Sequence, residues 1–236
     1  MEHPSVLVDS SWVVTAAHCF AGYWTAVVGE FDITKTDPDE QVLKVNRILS
    51  HPKFNPKTFN NDIALVELTS PVVLSEHVIP VCLPSATEPP TGSPCLVAGW
   101  GSLYEGERKT NTNLFICSVC INHSLIFLTL SFCGLQGDSG GPLIYKDRLS
   151  GRFQLYGITS WGDGCGEKGK PGVYTRVAAF SDWIQAEIHS KNEKATALYG
   201  RIRSRRLIFI QYGLFFCFVR INQEQRANMS GAPKDS

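Results

Sequence analysis

The sequence lacks an excess of charge of either sign. Its 236 residues contain 22 Lys and Arg against 22 Asp and Glu, so the formal net charge is zero. A protein that binds a phosphate backbone or an acidic membrane surface usually carries a basic field. The balance of charges therefore argues against nucleic acid as a partner.

Long hydrophobic runs are also missing. The apolar stretch LIFIQYGLFFCFV covers only residues 207–219, whereas a helix needs about 20 apolar residues to cross a bilayer. We expect no membrane span and interpret this stretch as a buried or non-native segment. The first residues, MEHPSVLVDSSWVV, lack the basic start and apolar core of a signal peptide, so we expect the signal of a secreted protein to be absent from this sequence.

Cysteine is neither rare nor abundant. Eight cysteines are too few for a small disulfide scaffold but more than a cytosolic enzyme usually carries, which favours an oxidising compartment. The remaining composition, 43% hydrophobic and 19% charged, is that of a globular chain long enough to bury a large core.

The chain contains a series of short strand-like runs bounded by Gly, Pro, Asn or Asp. These runs are TAVVGEFDI, VLKVNRILSH, IALVEL, VIPVCLP, CLVAGWG, LYGITSWG and GVYTRV. Their spacing predicts an all-β sandwich or a pair of barrels. In VAAFSDWIQAEIHS (177–190) the apolar residues instead recur at three- and four-residue steps, which predicts an amphipathic helix at the end of the domain.

Three short motifs supply the groups needed for nucleophilic catalysis. TAAHCF contains His18, NNDIALVEL contains Asp62 and GDSGGP contains Ser139. A serine hydroxyl attacks a carbonyl only when a base removes its proton and the resulting oxyanion is stabilised. Taken singly, His18 suits a packed core position and Asp62 suits a turn before a strand. Together, and in this order, the three residues favour catalysis.

These motifs resemble those of the chymotrypsin-like (trypsin-fold, S1) serine proteases. TAAHC, NNDIAL, GWG, GDSGGP and SWGDGCGEKGKPGVYTRV follow the order of that family over roughly residues 6–107 and 137–190. The resemblance implies two packed six-stranded antiparallel β-barrels and a C-terminal helix. Because the family's first strands would precede Met1, we expect the first barrel to be incomplete at its N-terminus and to expose a sheet edge.

The resemblance also implies a role for each motif residue. Ser139 would be the nucleophile, His18 the general base and then acid, and Asp62 the group that orients the imidazole. The backbone N–H groups of Gly137 and Ser139 would stabilise the oxyanion. Asp138 corresponds to the carboxylate that pairs with a new amino terminus on activation. The sequence contains no Ile-Val-Gly-Gly segment to supply that terminus, so we expect this chain to be poorly active.

Five further positions correspond to the family's substrate-binding residues. Ser160, Trp161 and Gly162 match the strand that aligns the substrate, and Gly162 and Gly172 match the walls of the specificity pocket. Cys133 corresponds to the position that forms the floor of that pocket in the family, where active relatives usually carry an Asp that pairs with a substrate Arg or Lys. With Cys133 in place, the specificity is undefined.

Several cysteines implied by the resemblance are missing. Leu135 and Tyr145 stand where partners of Cys165 and Cys95 are expected, and no cysteine precedes Cys19. Loss of a native disulfide typically costs about 2 to 5 kcal/mol. We therefore expect the intact form of the protein to be more stable than this chain.

The stretch between GWG and GDSGGP is shorter than in the family. Its segment SLIFLTLSFCGLQ lacks polar and apolar alternation and has the composition of a translated pyrimidine-rich splice acceptor. We hypothesise that residues 108–136 are a non-native insert replacing part of a protease domain at 1–190. Residues 191–236 are interpreted as a basic, irregular tail.

One acidic loop resembles the calcium loop of some trypsins. Glu30, Asp37 and Glu40 lie in GEFDITKTDPDEQ and offer hard oxygen ligands, which calcium prefers. A solvated acidic turn is the alternative interpretation. The predicted hydrolysis itself requires no cofactor.

These observations predict a serine-type endopeptidase that cleaves peptide bonds through an acyl-enzyme. We expect its intact form to be trypsin-like and secreted, with protein or peptide substrates and protein inhibitors as partners. The alternative is a non-catalytic, protease-like binding protein. The presence of all three triad residues favours the enzyme.

Overall fold

The computed structural model describes residues 2–20, 24–84, 89–101, 115–120, 127–128, 138–162, 172–198 and 218–223. Within these ranges the chain forms twelve β-strands, one α-helix and two short 3₁₀ turns. All strand pairs between named strands are antiparallel. The predicted all-β class with a C-terminal helix is confirmed.

Six strands close into a barrel in the order β1-β12-β3-β4-β5-β2. They are β1 (Glu2–Asp9), β2 (Trp12–Thr15), β3 (Trp24–Val28), β4 (Gln41–Ser50), β5 (Ala64–Leu68) and β12 (Phe218–Gln223). Their Val, Leu and Ile residues favour strands because β-branched and bulky apolar side chains pack well on a pleated surface. Val13, for example, lies inside this barrel, while its neighbours Trp12 and Val14 pack in the cluster on the other face of the strand.

The C-terminal strand β12 occupies the place of the strand expected to be missing from the first barrel. It pairs with β1 on one side and with β3 on the other, so neither of these strands leaves an open edge there. The expected sheet edge is therefore covered by a segment from the other end of the chain.

The remaining strands form a six-stranded sheet in the order β7-β6-β9-β10-β11-β8. They are β6 (Pro94–Gly99), β7 (Phe115–Cys120), β8 (Phe127–Leu128), β9 (Pro142–Lys146), β10 (Phe153–Gly162) and β11 (Gly172–Arg176). Most of the proposed insert at 108–136 lies outside the described residues. Its two described segments, β7 and β8, pair with β6 and β11.

The helix α1 (Ser181–Leu198) packs against both halves of the molecule. Ile184 and Ile188, one turn apart, are buried in a cluster that includes Leu65 of β5 and Ile158 of β10. Burying a side chain of this size contributes about 1.5 to 3 kcal/mol. No helix in the described ranges is long and apolar enough to cross a membrane.

Two sequence expectations differ from the structure in detail. The run VIPVCLP is not a strand: Cys82 alone forms an isolated bridge, with Gln154. Pro80 and Pro84 lack the backbone N–H that a continuous ladder requires, which explains the difference. The range 191–236, interpreted as an irregular tail, contains the end of α1 and all of β12.

Candidate active site

His18 and Asp62 are brought together by two segments of the first barrel. His18 lies in the 3₁₀ turn Ala17–Cys19 that follows β2, and Asp62 lies two residues before β5. The His18 Nδ1 atom is 2.7 Å from Asp62 Oδ2, and the backbone N–H of His18 donates to Oδ1 at 2.9 Å. Asp62 is fully buried while the His18 side chain is 20% exposed. The Nδ1 edge of the imidazole is thus held by Asp62, while another part of the ring remains exposed at the surface.

The second sheet also contributes to the position of Asp62. The hydroxyl of Ser160 in β10 donates to Asp62 Oδ2 at 2.5 Å, and Thr175 Oγ1 in β11 donates to the Asp62 carbonyl at 2.8 Å. Burial alone would raise the pKa of Asp62, but the hydrogen bonds from His18 and Ser160 outweigh burial and lower that pKa. Asp62 is therefore a stable anion at neutral pH.

The loop before Asp62 has an unusual backbone. Phe59 and Asn61 both adopt positive φ values of 55°, which residues other than glycine adopt rarely and Asn more readily than most. Asn61 is fixed there because its side-chain amide donates to the Lys53 carbonyl at 2.9 Å. The loop turns the Phe59 ring against His18, edge to face, at 5.1 Å between centroids.

Ser139 lies on a turn directly before β9, at the junction of the two halves. Its backbone carbonyl is 3.5 Å from Cys19 Sγ, and that sulfur is 3.9 Å from His18 Nε2. Ser139 is half-buried. In the part of the chain that the structure describes, no hydrogen bond joins its hydroxyl to His18. The turn thus lies beside the imidazole without being bonded to it.

The two glycines after Ser139 make this turn possible. Gly140 has φ +88°, and a Cβ atom there would overlap Thr15 Oγ1 and lie 2.9 Å from the Pro4 carbonyl oxygen. The N–H of Gly140 donates to the Thr159 carbonyl at 2.8 Å, and the N–H of Gly141 donates to the Asp138 carbonyl at 2.9 Å. The motif GDSGGP is therefore matched to a tight turn pressed against β1 and β2.

Cys19, between His18 and Ser139, is a buried thiol. Its thiol forms no disulfide in the structure and is only 6% exposed. Burial, followed by the negative charge of Asp62, raises the pKa of Cys19 well above its usual range. The thiol therefore stays protonated at neutral pH.

Asp138 points away from this group, into the second sheet. Its side chain is buried and Oδ1 accepts the N–H of Gly101 at 2.7 Å. A Cβ atom on Gly99 would overlap the same carboxylate, so the glycines of GWG leave the space that Asp138 fills. Burial, followed by the charge of Asp138, raises the pKa of the neighbouring Tyr174. Tyr174 therefore remains a neutral phenol beside this carboxylate.

A cleft of about 360 Å³ opens beside Phe59, the residue whose ring contacts His18. Phe59 and Asn61 line one side, and Ser160, Trp161 and Tyr174 line the other. Trp161 is 49% exposed, which is unusual for so large an apolar side chain. The cleft is thus an accessible, partly apolar surface, and two of its lining residues, Phe59 and Ser160, contact His18 and Asp62 respectively. The sequence did not identify Phe59 as a residue that lines this cleft and contacts His18. Its place three residues before Asp62 is a signal that could have indicated this position.

The predicted pocket residues are only partly described. Gly162 and Gly172 lie directly opposite each other across β10 and β11, one register position beyond the Trp161 and Val173 pair. Cys133, the predicted floor, and Gly137, a predicted oxyanion donor, lie outside the described residues. Cys95 lies opposite Tyr145 between β6 and β9, where the resemblance implied a second cysteine.

The predicted calcium ligands are held by other contacts. Glu30 Oε2 accepts from Arg220 Nε at 2.5 Å, the Asp37 carboxylate accepts the N–H groups of Phe31 and Asp32, and Glu40 accepts the N–H of Asp37. The described residues contain no group of three side chains placed to bind a metal. The structure does not bring the three carboxylates together, and calcium binding stays a prediction.

Comparison with known proteins gives matches along most of the chain. The family model described as Trypsin matches residues 4–184. Serine protease 56 of Mus musculus is 45% identical over 207 residues, or 78% of this chain and 34% of that protein. Serine protease 56 of Homo sapiens is 44% identical over 213 residues, or 80% of this chain and 35% of that protein. The chain thus spans about a third of the length of these two relatives.

A shorter relative is matched over most of its own length. Anionic trypsin of Bos taurus is 36% identical over 200 residues, which are 77% of this chain and 78% of that trypsin. His18, Asp62 and Ser139 all lie within the span that the family model covers.

Proposed function

This chain belongs to the trypsin family of serine proteases, and on that premise we propose that it hydrolyses peptide bonds with Ser139, His18 and Asp62 as its catalytic groups. The observation that carries the proposal is the bonded series from Ser160 to Asp62 to His18. A buried, hydrogen-bonded carboxylate fixes the imidazole tautomer and stabilises the imidazolium that forms during catalysis.

In the first half of the proposed reaction, Ser139 Oγ attacks the substrate carbonyl carbon while its proton moves to His18 Nε2. The tetrahedral oxyanion is stabilised by the N–H groups of Ser139 and Gly137. Collapse breaks the C–N bond, and the proton on His18 passes to the leaving amine. An ester between Ser139 and the acyl half of the substrate remains.

In the second half, water attacks this ester. His18 Nε2 accepts a proton from the water and returns a proton to Ser139 Oγ as the ester bond breaks. Asp62 stays ionised throughout and donates no proton. Its lowered pKa supports this role, because a carboxylate that resists protonation keeps the imidazole oriented.

We propose that protein and peptide chains bind in the cleft beside Phe59 and Trp161, with one substrate side chain against the surface that Gly162 and Gly172 share. Two opposed glycines leave room for a long side chain. Because Cys133 carries no negative charge at neutral pH in its thiol form, it gives a cationic side chain no ion-pair partner. We therefore expect weak hydrolysis by this chain and a preference for Arg or Lys only when that position is acidic.

Two further proposals follow from family membership and composition. Protein inhibitors that present an extended loop are expected to bind in the same cleft. The eight cysteines and the trypsin family favour action outside the cell.

The experiment that tests the proposal uses the full chain and three variants on a library of fluorogenic peptides. Ser139→Ala is the inactive reference, Cys133→Asp is the gain-of-function variant and Ser150→Ala is a control at an exposed turn. We expect slow cleavage by the wild type, none by Ser139→Ala, and faster cleavage after Arg or Lys by Cys133→Asp. Cleavage that is unchanged in Ser139→Ala would contradict the role of Ser139, and no cleavage by any folded variant would contradict the proposal and favour a binding protein.

A further inference from the structure

The strand β12 completes the first barrel from an unexpected position in the sequence. The other five strands all come from residues 2–68, whereas β12 comes from residues 218–223. It lies between β1 and β3 and pairs with each over five of its six residues, with β1 over 218–222 and with β3 over 219–223. Without it, β1 and β3 would each present an unpaired ladder of backbone groups, which is a site for strand addition.

We call the space between β1 and β3 that β12 fills the slot. Along residues 219–222, buried side chains alternate with partly exposed ones. Val219 and Ile221 have no exposed surface and pack in the barrel cluster with Leu7, Trp24 and Val28. If the strand left the slot, the part of the barrel interior that these two side chains cover would be exposed to water. The slot therefore recognises two β-branched apolar residues placed two positions apart.

A charge pair adds a second element of recognition. Arg220, between the two buried residues, contacts Glu30 through Nε and Oε2 at 2.5 Å, and only 1% of the Glu30 side chain is exposed. A carboxylate buried to this degree requires a cation or several hydrogen bonds. Glu30 therefore favours a strand with a basic residue at the centre of the slot.

We propose that residues 218–223 form a complementing strand, and that the slot between β1 and β3 binds an extended segment of the pattern apolar, basic, apolar on which closure of the barrel depends. The occupant is the chain's own segment, bound within the same molecule. His18 and Asp62 both belong to this barrel, so the strand supports the scaffold of the candidate site without touching it. The proposal does not rest on the proposed hydrolysis.

Binding within one molecule is consistent with the length of the connection. Residues 199–217 join the end of α1 to the start of β12. A segment of this length spans at most about 65 Å when fully extended, which exceeds the diameter expected for a domain of this size. The connection therefore allows the strand to reach the slot of its own chain.

A disulfide trap in the full chain tests which residues occupy the slot. Asn222 lies opposite Thr25, so Thr25→Cys with Asn222→Cys places two thiols at a register pair. We expect this variant to form the corresponding disulfide in the monomer, identified by peptide mass spectrometry. The matched control, Val27→Cys with Asn222→Cys, keeps Arg220 and is two positions out of register, because Val27 lies opposite Arg220; it should form the disulfide poorly. No preferential linkage, or linkage only between two chains, would overturn binding within the molecule.

A charge reversal tests recognition of the basic residue. Arg220→Glu places a second carboxylate beside Glu30 and is expected to lower the midpoint of thermal unfolding by roughly 10 °C. Adding Glu30→Arg should restore most of that loss. Arg148→Glu, the same change at an exposed turn, should have little effect. Independent effects of Arg220→Glu and Glu30→Arg, without rescue, would contradict the proposed pairing.

A peptide added in trans tests the slot itself. In the full chain, Val219→Asp with Ile221→Asp should displace the native strand, and the peptide FVRINQEQ (218–225) should then bind and raise the unfolding midpoint. The matched control is the same peptide with Glu in place of Arg, which should neither bind nor raise the unfolding midpoint. If the variant does not fold alone, refolding with each peptide gives the same comparison as yield of soluble protein. Failure of FVRINQEQ to bind or rescue in either format would overturn the proposal.

Discussion

The Ser160 hydroxyl donates a 2.5 Å hydrogen bond to the same Asp62 oxygen that contacts His18 Nδ1. Ser160 belongs to the second sheet, whereas Asp62 and His18 belong to the first barrel. The acid that orients the imidazole is therefore held from both halves of the molecule. A change in packing between the halves would be expected to act on the imidazole through Asp62.

Ser160→Ala tests this relationship. Removing a hydrogen bond to a buried charged group typically costs about 1.5 to 3 kcal/mol, so we expect kcat/KM to fall roughly tenfold to a hundredfold. Ser150→Ala is a suitable control because Ser150 also donates to a carboxylate, that of Asp147, but at an exposed turn. Equal effects of the two substitutions would indicate that the Ser160 hydroxyl has no special role.

Asp62→Asn keeps the size of the side chain and removes its charge. Under the proposed mechanism the amide favours the wrong imidazole tautomer, and kcat should fall by about four orders of magnitude. Asp147→Asn, at an exposed turn, should leave kcat unchanged. Steady-state kinetics on one peptide substrate distinguish these outcomes, and a loss of less than tenfold in Asp62→Asn would contradict the assigned role.

The lowered pKa of Asp62 predicts a specific acid sensitivity. A carboxyl whose pKa is lower in the folded protein than in the unfolded chain, about 3.9, contributes stability that is fully present above the unfolded value. That contribution is lost as the pH falls through the folded pKa. The unfolding midpoint of the wild type should thus decline more steeply below about pH 4 than that of Asp62→Asn. Parallel profiles for the two proteins would contradict the lowered pKa.

The tight turn at Ser139 predicts different results for two glycine substitutions. Gly140 and Gly151 both have positive φ, of 88° and 66°, so Ala is strained at either position. A Cβ atom at Gly140 would also overlap Thr15, whereas none of the surrounding atoms lies within 4 Å at Gly151. Gly140→Ala should therefore lower the unfolding midpoint more and abolish hydrolysis, while Gly151→Ala should retain it. Similar losses in both variants would show that the overlap is relieved without cost.

The three motifs indicated which segments the fold brings together, whereas the catalytic roles of their residues stay a prediction. The triad residues were assigned from short segments, and the structure joins His18 to Asp62 directly and brings the Ser139 turn to the Cys19 sulfur beside them. Gly99 of GWG and Gly140 and Gly141 of GDSGGP were informative because their lack of a side chain is required by nearby atoms. Residue type and spacing in the sequence are sufficient for a prediction where nearby atoms or the proposed chemistry allow only one kind of residue.

Contacts between distant segments were harder to predict. The pairing of Arg220 with Glu30 joins residues 190 positions apart, whereas the sequence offered only a calcium loop or a solvated acidic turn as interpretations of the segment around Glu30. The strand β12 was missed because only four residues, from Val219 to Asn222, show the alternation, and they follow an apolar run without it. Which slot a short strand fills depends on the unpaired edges of the rest of the fold, and these are not visible in the strand's own sequence.

The most direct test of the central claim is covalent labelling of the full chain with a fluorophosphonate probe, followed by peptide mass spectrometry. If His18, Asp62 and Ser139 act as one catalytic unit, the probe should modify Ser139 selectively, and His18→Ala should reduce the labelling rate at least a hundredfold. Labelling of Ser139 at the same slow rate as exposed serines such as Ser150, unaffected by His18→Ala, would contradict the claim.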